Sequence, residues 1–399
     1  SQASSSAPLT IAEASELALA DEPGHAALRA RAEAAREHAV AEGQLPDPTL
    51  RVGLANFPIS GGGFSTEGMT QAQLGFRQAF PRARSAAAER RSAEAEAFGH
   101  DAAARSEDVL TAVRKTWLAA YYAQRSLALV DESRAYFEDL ATTTTSLYSV
   151  GRKTQHDVLR AELELSRLED RRIEAERMLS EAQAGLSRWI GEEARRPVAM
   201  ALPDWRALPA LSDLRARLQG HPALAAAAAS VDASRAAVRV AEARKKPGWA
   251  LDLGYGYRDG FLPNGEPRSD FVSLAVTVDL PFFAGQRQDR KLAAALGERG
   301  SAMSERAELE ARLASELDAE YARWTNLTRR LALYETRILE QARAQAEAAL
   351  LAYQSDAGDF SDVMRGRVDE LNTRLEHVRL QVERARSYAV LANLGGLER

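Results

Sequence analysis

The sequence predicts a mainly helical protein with a small β part, built from a duplicated unit of strand, strand, long helix, turn and returning helix. Three observations predict it. First, the chain nearly repeats itself. Tyr148 to Leu159 reads YSVGRKTQHDVL and Tyr353 to Met364 reads YQSDAGDFSDVM. Tyr148 and Tyr353, Asp157 and Asp362, Arg160 and Arg365, Leu186 and Leu391, and Gly191 and Gly396 are all 205 positions apart. Earlier parts echo too, Gly24-His25-Ala26-Ala27-Leu28 against Gly220-His221-Pro222-Ala223-Leu224. Second, each half carries two stretches of period-two alternation, the mark of strands. Third, each half carries a stretch of more than sixty residues without proline and with apolar residues at helical spacing. A repeat of about 200 residues is too long for a solenoid unit. It implies two structural halves, 10–205 and 206–399, after a flexible N-terminus over 1–9.

Taken in order, Thr10 is placed to cap a short helix through Ala20, and a second helix runs from about Gly24 to Gly43 until Leu45-Pro46-Asp47-Pro48 stops it. Strands follow over about 49–57 and 69–79, with Leu50, Val52 and Leu54, then Ala72, Leu74 and Phe76, each on one face. In the second half the strands fall at about 249–259 and 269–281. Trp249, Leu251, Leu253, Tyr255 and Tyr257 alternate with Ala250, Asp252, Gly254, Gly256 and Arg258. Val272, Leu274, Val276, Val278 and Leu280 alternate with Phe271, Ser273, Ala275, Thr277 and Asp279. One face is apolar and aromatic; the other is small and polar.

The long helices run from Arg82 to about Leu147 and from about Arg287 to Tyr353. At 1.5 Å per residue each would extend roughly 100 Å. Turns at Ser149 to Lys153 and Gln354 to Gly358 lead into returning helices. There Val158, Ala161, Leu165, Leu168, Arg172, Ala175, Leu179, Ala182, Leu186 and Trp189 step by three and four, a 3.5-residue period that implies supercoiled packing. Small residues lie on further faces (Ala86 to Ala88, Ala102 to Ala104, Ala225 to Ala229, Ala293 to Ala295), so these helices can pack against neighbours on both sides.

Composition excludes several functions. Lys and Arg number 52 against 57 Asp and Glu, a net charge of −5, so no basic field invites nucleic acid. There is no cysteine, which excludes disulfides, thiolate metal sites and cysteine nucleophiles. The six histidines are scattered, and no HExxH, GxxxxGK or GxSxG motif occurs. No enzyme, cofactor or metal site is expected. No apolar run reaches the roughly 18 residues of a membrane-spanning helix. The opening SQASSSAPLT suits a soluble chain or one that has lost a signal peptide, and it has no cysteine to accept a lipid.

Each feature has two readings. The strands could form a small sheet with its apolar face on a helical core. Against this, Trp249, Tyr255 and Tyr257 on one face suit a lipid-facing surface, and strands of about 9–11 residues fit a membrane barrel. Four strands cannot close a barrel, so several chains would have to share one. The helices alone would also suit a soluble coiled-coil scaffold or adaptor. At the turns, Thr154-x-x-Asp157 and Asp359-x-x-Asp362 place an oxygen at the helix N-cap and a carboxylate at its third residue, which capping alone explains.

The order of motifs resembles the TolC family of outer-membrane efflux proteins over nearly the whole chain from Thr10. The carriers are Pro48-Thr49-Leu50 and Lys246-Pro247 before strands, and Gln78-Ala79-Phe80-Pro81 and Asp279-Leu280-Pro281-Phe282-Phe283-Ala284-Gly285 after them. Tyr148-x-x-Gly151 with Asp157-Val158-Leu159 follows at the first turn, and Leu186/Gly191 and Leu391/Gly396 at the ends. Gly53-Leu54-Ala55-Asn56-Phe57-Pro58 with Gly68-Met69-Thr70-Gln71 is similar to the heavy-metal branch, the CzcC- and CusC-like proteins. The resemblance implies a homotrimer in the outer membrane of a Gram-negative bacterium, in contact with outer-membrane lipid. Its twelve-stranded barrel would continue into an α-helical barrel across the periplasm. The partners implied are a periplasmic adaptor and an inner-membrane RND-type pump, and the function is passive exit of substrates, heavy-metal cations in that branch. A multidrug or type I secretion channel is the alternative within the family. In such a trimer Asp356, Asp359, Asp362 and Asp157 would ring a pore entrance, with Tyr148, Tyr353 and Arg152 as latch residues. The second turn departs from the family at Asp356-Ala357-Gly358-Asp359, and Arg365 stands where some relatives carry another aspartate.

Overall fold

A computed structural model describes residues 7–397. The helices are α1 (Ile11–Ala20), α2 (Pro23–Gly43), α3 (Arg84–Ser149), α4 (Gln155–Ile190), α5 (Leu211–Leu218), α6 (Pro222–Ala243), α7 (Gln288–Leu333), α8 (Leu339–Gln354) and α9 (Phe360–Gly395). The strands are β1 (Thr49–Ala55), β2 (Gln71–Phe80), β3 (Gly248–Tyr257) and β4 (Phe271–Asp279). The chain is mainly helical, as expected. It forms two compact units that cut across the repeats. One comprises the chain up to Ala26, Ala102–Pro222 and the chain from Glu310; the other comprises Ala27–Asp101 and Ala223–Leu309. Each unit therefore takes residues from both halves of the sequence.

The sheet lies in the second of these units. Its order is β1-β2-β3-β4, antiparallel throughout, with β2 and β3 joining the two halves. The register puts the apolar positions in rows. Val52, Leu74, Tyr255 and Val272 form one row; Leu50, Phe76, Leu253 and Leu274 form the next. The strands are shorter than the alternation suggests. β1 ends at Ala55 because Asn56 takes a left-handed φ of 57° and bonds across the loop to the Met69 carbonyl at 3.3 Å. β3 ends at Tyr257 because the Arg258 backbone N–H donates to the Asp270 carboxylate at 3.0 Å instead of a neighbouring strand. β4 ends at Asp279, just before Pro281, which has no N–H to donate.

The helical unit has its own core, centred on Trp117, Leu118, Phe137, Leu186, Met364 and Leu371. In α4 the buried residues Ala161, Leu168, Ala175 and Ala182 recur every seventh position, the supercoil pattern expected. Both returning helices end at a glycine with positive φ, Gly191 at 59° and Gly396 at 56°, five residues after fully buried Leu186 and Leu391. The repeated Leu-x(4)-Gly is thus a packing anchor followed by a left-handed stop. A π-helical turn over Tyr334–Ile338 joins α7 to α8.

The expectation of a flexible segment over 1–9 is corrected at its end; residues 1–6 lie outside the described residues. Leu9 is fully buried, bridges Val198 in parallel and accepts the Trp117 indole N–H at 3.0 Å. Thr10 then caps α1 by accepting the Glu13 N–H at 3.2 Å. Serine- and proline-rich composition gave no sign of this, because the partners lie more than a hundred residues away.

Candidate functional site

Two features carry functional weight, one in each unit. The first is the sheet. Its apolar face is exposed on every strand: Val52 is 76% exposed, Leu253 49%, Leu274 69% and Tyr255 45%. No helical core covers it, so the small-capping-sheet reading does not hold. At roughly 25 cal/mol per Å² of apolar surface, leaving such a face in water is costly. The opposite face is small and polar. Gly75, Gly254 and Ser273 share one row, and Arg77 meets Asp252 at 3.5 Å, with the Thr277 hydroxyl donating to Asp252 at 2.9 Å. Phe80 stacks on Trp249 with ring centroids 4.1 Å apart at the end of the sheet that passes into helices. β1 and β4 each have only one strand neighbour, leaving two open edges.

The second feature is the pair of turns at the end of the helical unit. They have the same backbone. Gly151 N–H donates to the Tyr148 carbonyl at 2.9 Å and Arg152 N–H to that of Leu147 at 2.9 Å; Asp356 donates to Tyr353 at 3.2 Å and Ala357 to Ala352 at 2.9 Å. The left-handed position is Gly151 in the first turn (φ 74°) and Asp356 in the second (φ 58°). The structure brings the turns together. The Lys153 ammonium sits 3.9 Å from the centre of the Tyr353 ring, and Arg160 donates to the Ser361 hydroxyl at 2.9 Å. Tyr353 also packs on Phe360 at 5.6 Å, and its hydroxyl is buried without a partner.

The predicted residues fare differently. Asp157 closes a complete capping box with Thr154: its N–H donates to the Thr154 hydroxyl at 3.3 Å, and its carboxylate accepts the Thr154 N–H at 3.2 Å. The second turn does not repeat this. Asp359 is the N-cap of α9 but makes no side-chain cap bond, and Asp362 pairs instead with Arg365 at 3.5 Å. Asp356 and Asp359 are exposed and enter no ion pair among the described residues. Tyr148 and Arg152 are exposed as well. The cation that meets Tyr353 is Lys153, which sequence reasoning missed. The available signal was its place one residue before the repeated N-cap.

Residues 214–397 match the model of the outer membrane efflux protein family. The matched stretch is slightly less than half of the chain and takes in the second pair of strands. Protein CyaE of Bordetella pertussis is 29% identical over 318 residues, 73% of this chain; the chain spans 63% of that relative's length. The fold matches CusC, a protein that forms a transmembrane channel, with a TM-score of 0.82 at 15% identity, over 96% of this chain and 92% of the other. It matches VceC of Vibrio cholerae with a TM-score of 0.80 at 17% identity, over 97% of each. The open-state channel MtrE of Neisseria gonorrhoeae aligns with a TM-score of 0.77 at 17% identity, over 98% and 90%.

Proposed function

We infer that three copies of this chain pool their strands into one twelve-stranded barrel and form the outer-membrane exit duct of a tripartite efflux system. The observation that carries this reading is the exposed apolar face on a sheet with two open edges. Lipid solvates such a face, but it cannot satisfy unpaired strand edges. Four strands are too few to close, and outer-membrane barrels begin at eight. A periplasmic adaptor and an inner-membrane pump are the partners this reading assigns, since a passive duct needs an energised component elsewhere. A soluble coiled-coil scaffold has no use for an apolar outer face. Extraction from outer membranes in detergent should yield a stable species of three chains. A monodisperse water-soluble monomer sinks the reading.

The substrate proposed is a heavy-metal cation, on the stretch from Gly53 to Pro58 with Gly68 to Gln71. No group of three or more His, Asp or Glu side chains among the described residues could hold a metal ion, so the role assigned is conduction rather than coordination. Deletion should sensitise cells to divalent or monovalent heavy metals. Unchanged metal tolerance together with drug sensitivity would assign the duct to multidrug export instead.

A further inference from the structure

At the end of the sheet that passes into helices, a cavity of about 510 Å³ lies beside the polar-face positions Ala79, Ala250 and Thr277. Five cationic side chains line it, Arg77, Arg82, Arg244, Arg287 and Lys291, against a single carboxylate, Asp279. Arg77 is matched by Asp252 at 3.5 Å. Arg82 donates to the Lys246 carbonyl, which holds its guanidinium in place without neutralising it. Arg82, Arg244, Arg287 and Lys291 enter no ion pair among the described residues, whereas nearby Lys245 is paired with Asp289 at 2.6 Å. Gly248 keeps the floor open: a Cβ there would lie 3.2 Å from the Asp279 carboxylate and 3.7 Å from Arg82 Nε. Gln288, on the same wall, has a buried amide oxygen without a partner. Half a turn of that amide presents its NH₂ to an acceptor, and the two orientations are nearly isosteric.

Like charges gathered around one cavity repel unless an anion joins them. Guanidinium forks match the paired oxygens of phosphate, and charge-assisted bonds of that kind are the strong ones. The volume suits a small ligand or a headgroup. We propose that this cavity binds a phosphate-class oxyanion. Two sources have that chemistry, a free phosphate compound and the headgroup of a phospholipid, for which the Phe80–Trp249 stack at the same end of the sheet supplies an interfacial aromatic neighbour.

The test uses the full chain, purified in nonionic detergent and stripped of lipid, and needs no conduction. Inorganic pyrophosphate is titrated by calorimetry, and phosphatidylglycerol retention is read by native mass spectrometry. At least one probe should bind saturably. Arg244→Gln combined with Lys291→Gln should weaken it about tenfold or more, the size expected for lost charged hydrogen bonds. Arg290→Gln, outside the cavity, should stay close to the parent. Pyrophosphate binding identifies a soluble anion as the source; phosphatidylglycerol binding alone identifies the lipid. Absence of saturable binding by both probes overturns the proposal, as does a double variant that is folded by circular dichroism and binds like the parent.

Discussion

Glu22 ties the start of α2 to α3 through one carboxylate. It precedes α2, accepts the His25 N–H at 2.6 Å, and receives two bonds from Arg105 at 2.8 and 3.3 Å. Arg105, helped by the backbone N–H groups of His25 and Gly24 and opposed by burial, holds its carboxyl down at about 2. A carboxyl whose folded value lies below its unfolded one contributes stability above the unfolded value, near 4.5, and loses it as pH falls toward 2. The full shift would be worth roughly 3 kcal/mol; Arg105 is one-third exposed, so screening brings the expected contribution nearer 2 kcal/mol. Glu22→Gln, which keeps the shape and an acceptor, should therefore lower unfolding free energy by about 2 kcal/mol at neutral pH. The gap to the parent should shrink steadily below pH of about 4.5. A gap that stays constant down to acid pH would show that packing, not charge, is lost. None of this was legible in sequence, because the pair is 83 positions apart and arginine and glutamate are common everywhere in the chain.

At the scale of elements, the two faces of the sheet make opposite demands. Leu253 and Leu274 are opposite one another on the apolar face, while Ser273 pairs with Gly254 on the other. Leu253→Arg should impair insertion into lipid vesicles by about 2–4 kcal/mol near midplane. Ser273→Arg should be far better tolerated, and equal effects would count against the alternation. The returning helices make a second contrast. Thr154 has a complete cap and Asp359 has none. Thr154→Ala should cost about 1 kcal/mol of thermal stability, and Asp359→Ala clearly less. The strands were legible because period two survives any environment, and only their ends were overestimated, where Asn56 and Asp270 redirect the backbone. The heptads of α4 were legible for the same reason. The π-helical turn at Tyr334–Ile338 was not, since one extra residue in a turn leaves the apolar spacing nearly unchanged. The repeated capping pattern misled: identical spacing gave a closed box at Thr154 and an open cap at Asp359, because Arg365 draws Asp362 away.

For the whole molecule the turns matter most, because the proposed trimer would present each of their charges three times around one axis. Per chain the turns hold Arg152, Lys153, Arg160 and Arg365 against Asp157, Asp356, Asp359 and Asp362. Simple counting predicts no selectivity. The pairing changes this. Asp157 is bound into its cap and Asp362 is met by Arg365, which leaves Asp356 and Asp359 as the turn carboxylates with neither a side-chain cap bond nor an ion pair among the described residues. A ring of either would attract cations and repel its own copies, an effect screened over about 8 Å at physiological salt. Asp356 allows the cleaner test. It occupies the left-handed position that Gly151 fills in the other turn, and asparagine adopts that conformation as readily as aspartate. Asp356→Asn therefore removes the charge and leaves the turn intact; Asp356→Gly removes it and relieves the backbone as well. In single-channel recordings both should lower cation selectivity and weaken block by trivalent cations to a similar degree, more strongly at low salt. Thermal stability should be unchanged in the first and equal or higher in the second. Asp362→Asn, already paired, should change selectivity less. If Asp356→Asn and Asp356→Gly both conduct like the parent, the ring does not form, and the turn aspartate serves only to end one helix and begin the next.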